Sequence, residues 1–259
     1  MNNIGASAHR GIGPSNSEGS SAFDFRSPDQ PITRSPDLPL VSAVCVTADR
    51  REFVRAAIAC FVAQDYPEKE LVVIDDGRDR VGDLCAAVPR CRYVALDGEK
   101  RKIGVKRNLG AEAAAGEILC HWDDDDWSAP SRIRDQVERM LASGKAVSGY
   151  HSMLFWDGTR AFRYKGPLDY SVGSALCYQK DFWRRHAFVA EDHRRWEDNV
   201  FVQDARNERQ IVCADAEKLM VARIHAANTC PKKPAEAPLQ WAAVDPSEVP
   251  EGFFEASFR

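Results

Sequence analysis

Four consecutive aspartates, Asp123 to Asp126, follow the apolar run Glu117-Ile118-Leu119-Cys120-His121-Trp122 and precede Trp127 and Pro130. Carboxylates crowded at the end of a buried strand repel one another and lose solvation, and a divalent cation bound through oxygens offsets both costs. The pattern predicts a metal site. Magnesium-type ions are held by one or two carboxylates together with phosphate oxygens of a substrate, so the same site predicts a phosphorylated ligand. A solvated acidic turn is the competing reading of an isolated run. Two other strand ends carry useful polar groups: Thr47 after the run at 40–46, and Asp75-Asp76-Gly77 after the run at 71–74. A carboxylate at Asp76 can accept from a base N–H or a ribose hydroxyl, although Asp-Gly after a strand is also common turn chemistry.

These groups act together only if elements bring them together. Residues 40–46 form a short, β-branched apolar run, as expected for a strand covered on both faces. Phe53, Ala57, Ile58, Phe61 and Val62 recur at helical spacing, and Asp65-Tyr66-Pro67 closes that helix before the next strand at 71–74. Strand, helix, strand is a right-handed crossover in a parallel sheet. A third strand is predicted at 93–96, a helix at about 106–115 ended by Gly116, and then the strand that leads into the aspartates. Pro130 opens a further helix carried by Ile133, Val137, Met140 and Leu141. The second half predicts a hairpin, 146–156 with 160–165, around Asp157-Gly158. Strands follow at 173–178, 211–214 and 220–224, with a helix from Asp181. The fold class is therefore α/β: a Rossmann-like, mostly parallel sheet flanked by helices, with a mixed, antiparallel portion. Ligands bind beyond the carboxyl ends of such strands, so Thr47, Asp76 and the aspartate run should converge.

At 259 residues, one domain is expected. Residues 1–38 hold seven Ser, four Pro and four Gly with little apolar periodicity, and read as a disordered leader. Residues 231–259 carry Pro231, Pro234, Pro238, Pro246 and Pro250, which predicts an irregular tail wrapping the domain through Trp241, Phe253 and Phe254. The formal charge of −4 and the scatter of Lys and Arg among acids argue against a nucleic-acid partner. No apolar stretch approaches the ~18 residues of a membrane span and the start has no secretion core, so the expected location is cytoplasmic. Cys45, Cys60, Cys120, Cys177 and Cys213 sit in apolar periodic segments, and no CxxC pair occurs, which argues for reduced thiols rather than zinc or disulfides.

Four pieces, in this order and at fitting distances, make the chain resemble family 2 glycosyltransferases of the GT-A fold: VSAVCVTADR, QDYPEKELVVIDDG, GVKRNLGAEAAAGEIL and the Asp-x-Asp element in HWDDDDWSAPSRI. The likeness continues more faintly through GSALCYQKDFW and RRWEDNVFV. It implies a domain at 39–230, with a nucleotide half at about 39–127 and an acceptor half at about 128–230. By position it implies that Thr47 and Asp76 contact the nucleoside of a nucleotide sugar, commonly UDP-linked, and that Lys106, Arg107 and Asn108 approach the donor. Asp123 and Asp125 match the two acids of Asp-x-Asp, with Asp125 as direct ligand of Mn2+ or Mg2+ and Asp123 toward the sugar or ribose. Asp124 and Asp126 leave that register open by one residue. Glu197-Asp198 matches the acid-Asp pair at a helix start, which makes Asp198 the base and Glu197 its neighbour in the acceptor site. Glu191-Asp192 is a rival pair. His225, ahead of Ala226-Ala227-Asn228-Thr229, matches a His element that approaches the metal or the diphosphate in some related enzymes.

The implied activity is inverting transfer of a monosaccharide to a hydroxyl of an unknown glycan, lipid-linked or protein acceptor. A nucleotidyltransferase fits less well, because Thr47-Ala48-Asp49-Arg50 is not a Gly-rich basic loop. An isoprenoid synthase would put its aspartates on helices, and an EF-hand would want Gly and Glu where Ser128 and Arg134 stand. A non-catalytic sugar-binding module of the same fold should have lost Asp125 or Asp198, and both are present.

Overall fold

The computed structural model describes residues 38–190, 196–216, 218–237 and 239–256. The leader, apart from Leu38, and the rival pair Glu191-Asp192 lie outside the described residues.

The first half alternates strand and helix: β1 (Val41–Thr47), α1 (Arg51–Val62), β2 (Lys69–Asp75), α2 (Gly82–Ala86), β3 (Cys91–Ala95), α3 (Ile103–Ala113) and β4 (Ile118–His121). Strands pair in the order β3-β2-β1-β4, all parallel, with Thr47 beside Asp75 and Val44 beside His121. This register puts the carboxyl ends of β1, β2 and β4 at one edge. Every residue of β1 is buried because helices cover both faces. Val41, Ala43 and Cys45 join the cluster under α1, while Val44 and Val46 join the one under α3, the alternation a strand imposes. α3 comes unusually close at Gly110, where a Cβ would stand 2.3 Å from Val44 Cγ1.

Helix α1 buries Val54, Ala57, Cys60 and Phe61, a face rotated from the expected one. Val62 is exposed, and Phe53 instead stacks on His225 with ring centroids 4.8 Å apart. The strand β5 (Trp127–Ser128) precedes α4 (Arg132–Ser143), which buries Ile133, Val137 and Met140 but exposes Leu141. Polar side chains complete its inner face: Arg132 donates to the carbonyls of His121 and Ser174, and Gln136 donates to that of Ala175.

The second half hangs on one long strand, β6 (Val147–Trp156). It runs antiparallel to β7 (Ala161–Lys165) and β8 (Cys177–Gln179), and parallel to β9 (Ile211–Asp215) and β10 (Met220–Arg223). β8 also joins β4, so the two halves share one sheet. The hairpin at Asp157-Gly158 forms as expected. The strand expected at 173–178 shrinks to β8, because Gly173–Ala175 close a 3-10 turn. α5 (Lys180–Arg185) and α6 (Glu197–Asn207) cover the α3 side.

The stretch expected to be an irregular tail is more ordered than its prolines suggest. β11 (Trp241–Val244) pairs antiparallel with β7, and α7 (Glu251–Ala256) buries Phe253 against Trp156. Prolines at the edges of an element do not prevent its formation: Pro246 and Pro250 precede α7 rather than interrupt it. Among the described residues no helix is long and apolar enough to cross a membrane.

Candidate active site

Strand β4 stops at His121, and the aspartates occupy the turn between β4 and β5. Trp122 anchors that turn, donating from Nε1 to the carbonyl of Ala57 at 3.0 Å. Asp124, Asp125 and Asp126 are buried, and only Asp123 keeps a substantial part of its side chain, 27%, open.

Asp124 faces β1: Thr47 Oγ1 donates to it at 2.6 Å and Arg50 at 2.9 Å. Asp125 is held from several sides, with Arg50 at 3.0 Å, His225 Nε2 at 3.0 Å and Asn228 Nδ2 at 3.3 Å, all on Oδ2. Arg223 donates to the backbone carbonyl of Asp125 at 2.8 Å. Arg50 also reaches the carbonyl of Ala227, tying the end of β1 to the segment after β10. His225 Nδ1 accepts from the N–H of Ala227 at 3.2 Å, which leaves Nε2 as the protonated nitrogen that donates to Asp125.

Burial pushes the Asp126 carboxyl well above the ordinary carboxylate range, with Asp125 and Asp123 adding to the effect. Asp124 is raised to about 6 by burial and by Asp125, against the pull of Arg50 and Thr47. Asp123 is also raised, by burial and then Asp125, with Arg107 opposing. Burial first, and the crowding of like charges second, make these carboxylates costly to ionise without a counter-charge. One carboxylate oxygen each from Asp123, Asp125 and Asp126 lies within 4.8 Å of the others. A compact all-oxygen set with excess negative charge fits a hard divalent cation.

Asp76, at the end of β2, accepts from Lys106 Nζ at 2.8 Å and from the backbone N–H of Arg101 at 2.6 Å. Burial alone would raise its pKa, yet the hydrogen bonds from Lys106 and Arg101 prevail and lower it. Asp76 is thus an anionic acceptor at neutral pH. Lys106 also donates to the carbonyl of Thr47 at 3.2 Å, locking α3 to β1. Asn108 is not with them. Its side chain bonds the backbone of Phe188 at 2.8 and 2.9 Å and the indole of Trp183 at 2.9 Å, so it anchors the loop after α5 and does not line the cavity.

Glu197 and Asp198 open α6 but point to different neighbours. Glu197 is buried against Arg107, whose guanidinium also stands 3.5 Å from Asp123. Asp198 accepts from the N–H of Asn199 at 2.7 Å and lies against Gly173, where a Cβ would stand 1.9 Å from its Oδ2. Only glycine permits that approach. The turn carrying Gly173 is fixed from below by His121, whose Nδ1 donates to the Gly173 carbonyl at 2.7 Å. Burial keeps that imidazole neutral, its pKa well below the usual value.

Thr47, Asp76, Lys106, Arg107, the four aspartates, Glu197 and Asp198 all line one cavity of about 810 Å³. His225 borders it through Asp125. Two participants were not singled out from the sequence: Arg50 and Arg223. Asp126 was expected as part of the acidic run, without a role of its own, and the structure places it in the cluster with Asp123 and Asp125. Arg50 and Arg223 gave no local signal, since each meets its acids across at least 74 residues of chain.

Comparison with known proteins agrees with this geometry. The chain is 31% identical over 118 residues to glucosyl-dolichyl phosphate glucuronosyltransferase of Haloferax volcanii, covering 42% of this chain and 36% of that protein. It spans about a third of the length of the curated relatives it matches. A crystal structure of S. aureus TarS, residues 1–349 in complex with UDP-GlcNAc, superposes with a TM-score of 0.62 at 16% identity, over 76% of this chain and 63% of that one. The mannosyltransferase PcManGT of Pyrobaculum calidifontis, in complex with GDP-Man and Mn2+, does so with a TM-score of 0.57 at 14% identity, over 78% and 61%. The fold is that of the GT-A glycosyltransferases. Because residues 42–203, well over half of the chain, match the sequence profile described as "Glycosyl transferase family 2", the protein belongs to that family.

Proposed function

We propose that the protein moves a monosaccharide from a nucleotide sugar, with UDP as the nucleotide, onto an acceptor hydroxyl by direct displacement at the anomeric carbon. The observation that carries this reading is the single cavity into which the acidic cluster, Asp76 and Asp198 all open. The halves at about 39–127 and 128–230 divide the work, the first binding the nucleotide and the second the acceptor. Asp76, held anionic by Lys106, accepts from the base or ribose, and its backbone N–H donates to the carbonyl of Thr47 at 3.4 Å. Asp123, Asp125 and Asp126 would hold Mn2+ or Mg2+, and Asp124, paired with Thr47 and Arg50, stiffens the turn. A cation bound there supplies charge neutralisation for the departing diphosphate. His225, donating to Asp125, orients that carboxylate rather than offering its own lone pair.

Asp198 takes the proton. As the acceptor oxygen bonds to the anomeric carbon, the bond from that carbon to the diphosphate oxygen breaks. The hydroxyl proton passes to the Asp198 carboxylate and the nucleoside diphosphate leaves. Attack from the side opposite the leaving group inverts the configuration. Arg107, between Asp123 and Glu197, fixes the distance between the two halves of this arrangement.

The test is a thermal-shift screen of nucleotide sugars with manganese or magnesium, in which a donor at 100 times its Kd stabilises by roughly 2.7 kcal/mol. Asp125→Asn should abolish the metal-dependent part of the shift while the unliganded protein still melts cooperatively. If no nucleotide sugar shifts the wild-type protein with either metal, the reading fails.

A further inference from the structure

We infer that the acceptor is a saccharide whose terminal ring stacks on the indole of Trp196; this rests on the glycosyl-transfer reading above. The chain has six tryptophans. Trp122, Trp127 and Trp183 are buried, and Trp156 and Trp241 pack against the core clusters through other aromatic rings. Trp196 alone is exposed, at 40%, and belongs to none of those clusters. An indole left 40% exposed forgoes part of the burial that makes so large an apolar ring worth placing. Such a ring at a cavity wall calls for a ligand surface.

Its position names that surface. Trp196 caps α6 in an extended conformation, its carbonyl accepting from the N–H of Val200 at 3.2 Å, so its backbone is fixed to the same helix start that presents Asp198. Across the cavity wall, Tyr170 donates to the side-chain oxygen of Asn199 at 3.0 Å, which ties the loop after β7 to that helix start. The lip therefore offers one flat apolar face with a carboxylate and an amide beside it. A pyranose ring has the complementary form, an apolar C–H face bounded by hydroxyls. An acyl or prenyl chain has nothing to offer Asp198 and Asn199, and a lone serine or threonine side chain is too small to cover an indole.

The test uses wild-type, Trp196→Ala and Trp196→Phe proteins with the nucleotide sugar found by the thermal-shift screen. The acceptors are methyl glycosides of glucose, galactose, mannose and N-acetylglucosamine, a serine/threonine peptide and a polyprenyl phosphate. The inference expects transfer to at least one glycoside. It expects Trp196→Ala to raise the acceptor KM at least tenfold with a smaller change in kcat, and Trp196→Phe to recover most of that loss. Both variants should keep the donor-induced thermal shift, which separates acceptor stacking from a fault in folding or donor binding. An acceptor KM unmoved by Trp196→Ala, or transfer to the peptide or the polyprenyl phosphate but to no glycoside, overturns the inference and leaves glycosyl transfer standing. A wild-type protein that binds no nucleotide sugar overturns both.

Discussion

Asp198 illustrates how little freedom a candidate base retains here. One oxygen is engaged by the N–H of Asn199 and the other lies over a glycine that only hydrogen could occupy. Replacement by asparagine keeps the shape and removes the proton acceptor. Asp198→Asn should lower the transfer kcat by about 10²–10⁴ without weakening the donor-induced thermal shift, as steady-state kinetics would read directly. Unchanged turnover would send the search for a base to Glu191-Asp192. At the nucleotide end, Asp76 makes a prediction about pH. Its folded pKa is depressed, so the stability it contributes is present above the unfolded value of about 3.9 and is lost as pH falls through the lower folded value. Urea unfolding of Asp76→Asn at pH 7 should show a loss of about 1–3 kcal/mol relative to wild type. That gap should close as pH drops below about 4. The placement of both acids at one cavity was legible as residue type and position at a strand or helix end. The burial of Glu197 was not, because nothing local distinguishes it from its exposed neighbours.

Between elements, the pair Arg107 and Glu197 matters most. Arg107 lies on α3 and Glu197 on α6, 90 residues apart in sequence, and both are buried. A buried arginine that loses its partner is an uncompensated charge, so Glu197→Ala should destabilise by about 3–5 kcal/mol, measured as the urea midpoint at constant m-value. A loss within 0.5 kcal/mol would mean that Asp123 alone satisfies the guanidinium. Periodicity located α1 and α4 correctly but misassigned part of each buried face. In α1 the aromatic Phe53 turns to His225 while the smaller Val54 and Cys60 fill the core. In α4 the buried positions beyond Ile133, Val137 and Met140 belong to Arg132 and Gln136, which no hydrophobic pattern would select. Helical spacing identifies a stripe, but which edge of it is covered depends on what the sheet presents.

At the scale of the molecule, the C-terminal stretch is part of the sheet and its cover. Phe253, 1% exposed, packs on Trp156, and Arg223 lies over its ring at 4.6 Å while also holding the carbonyl of Asp125. Phe253→Ala should cost about 3–5 kcal/mol in urea unfolding, a cost a loosely attached tail would not incur. The cavity is closed in the same long-range way, through the contact of Arg50 with the carbonyl of Ala227, 177 residues away.

What the sequence determined by itself was the parallel half. Its strands are short, apolar and bounded by turn residues, and their polar ends reach one sheet edge because parallel strands share a direction. The tertiary structure alone decided which charges pair. Arg50 with Asp124 and Asp125, Arg107 with Glu197 and Arg223 with the Asp125 carbonyl all join segments distant in the chain. Such partners carry no local propensity, only complementary charge at positions that packing brings within hydrogen-bond distance.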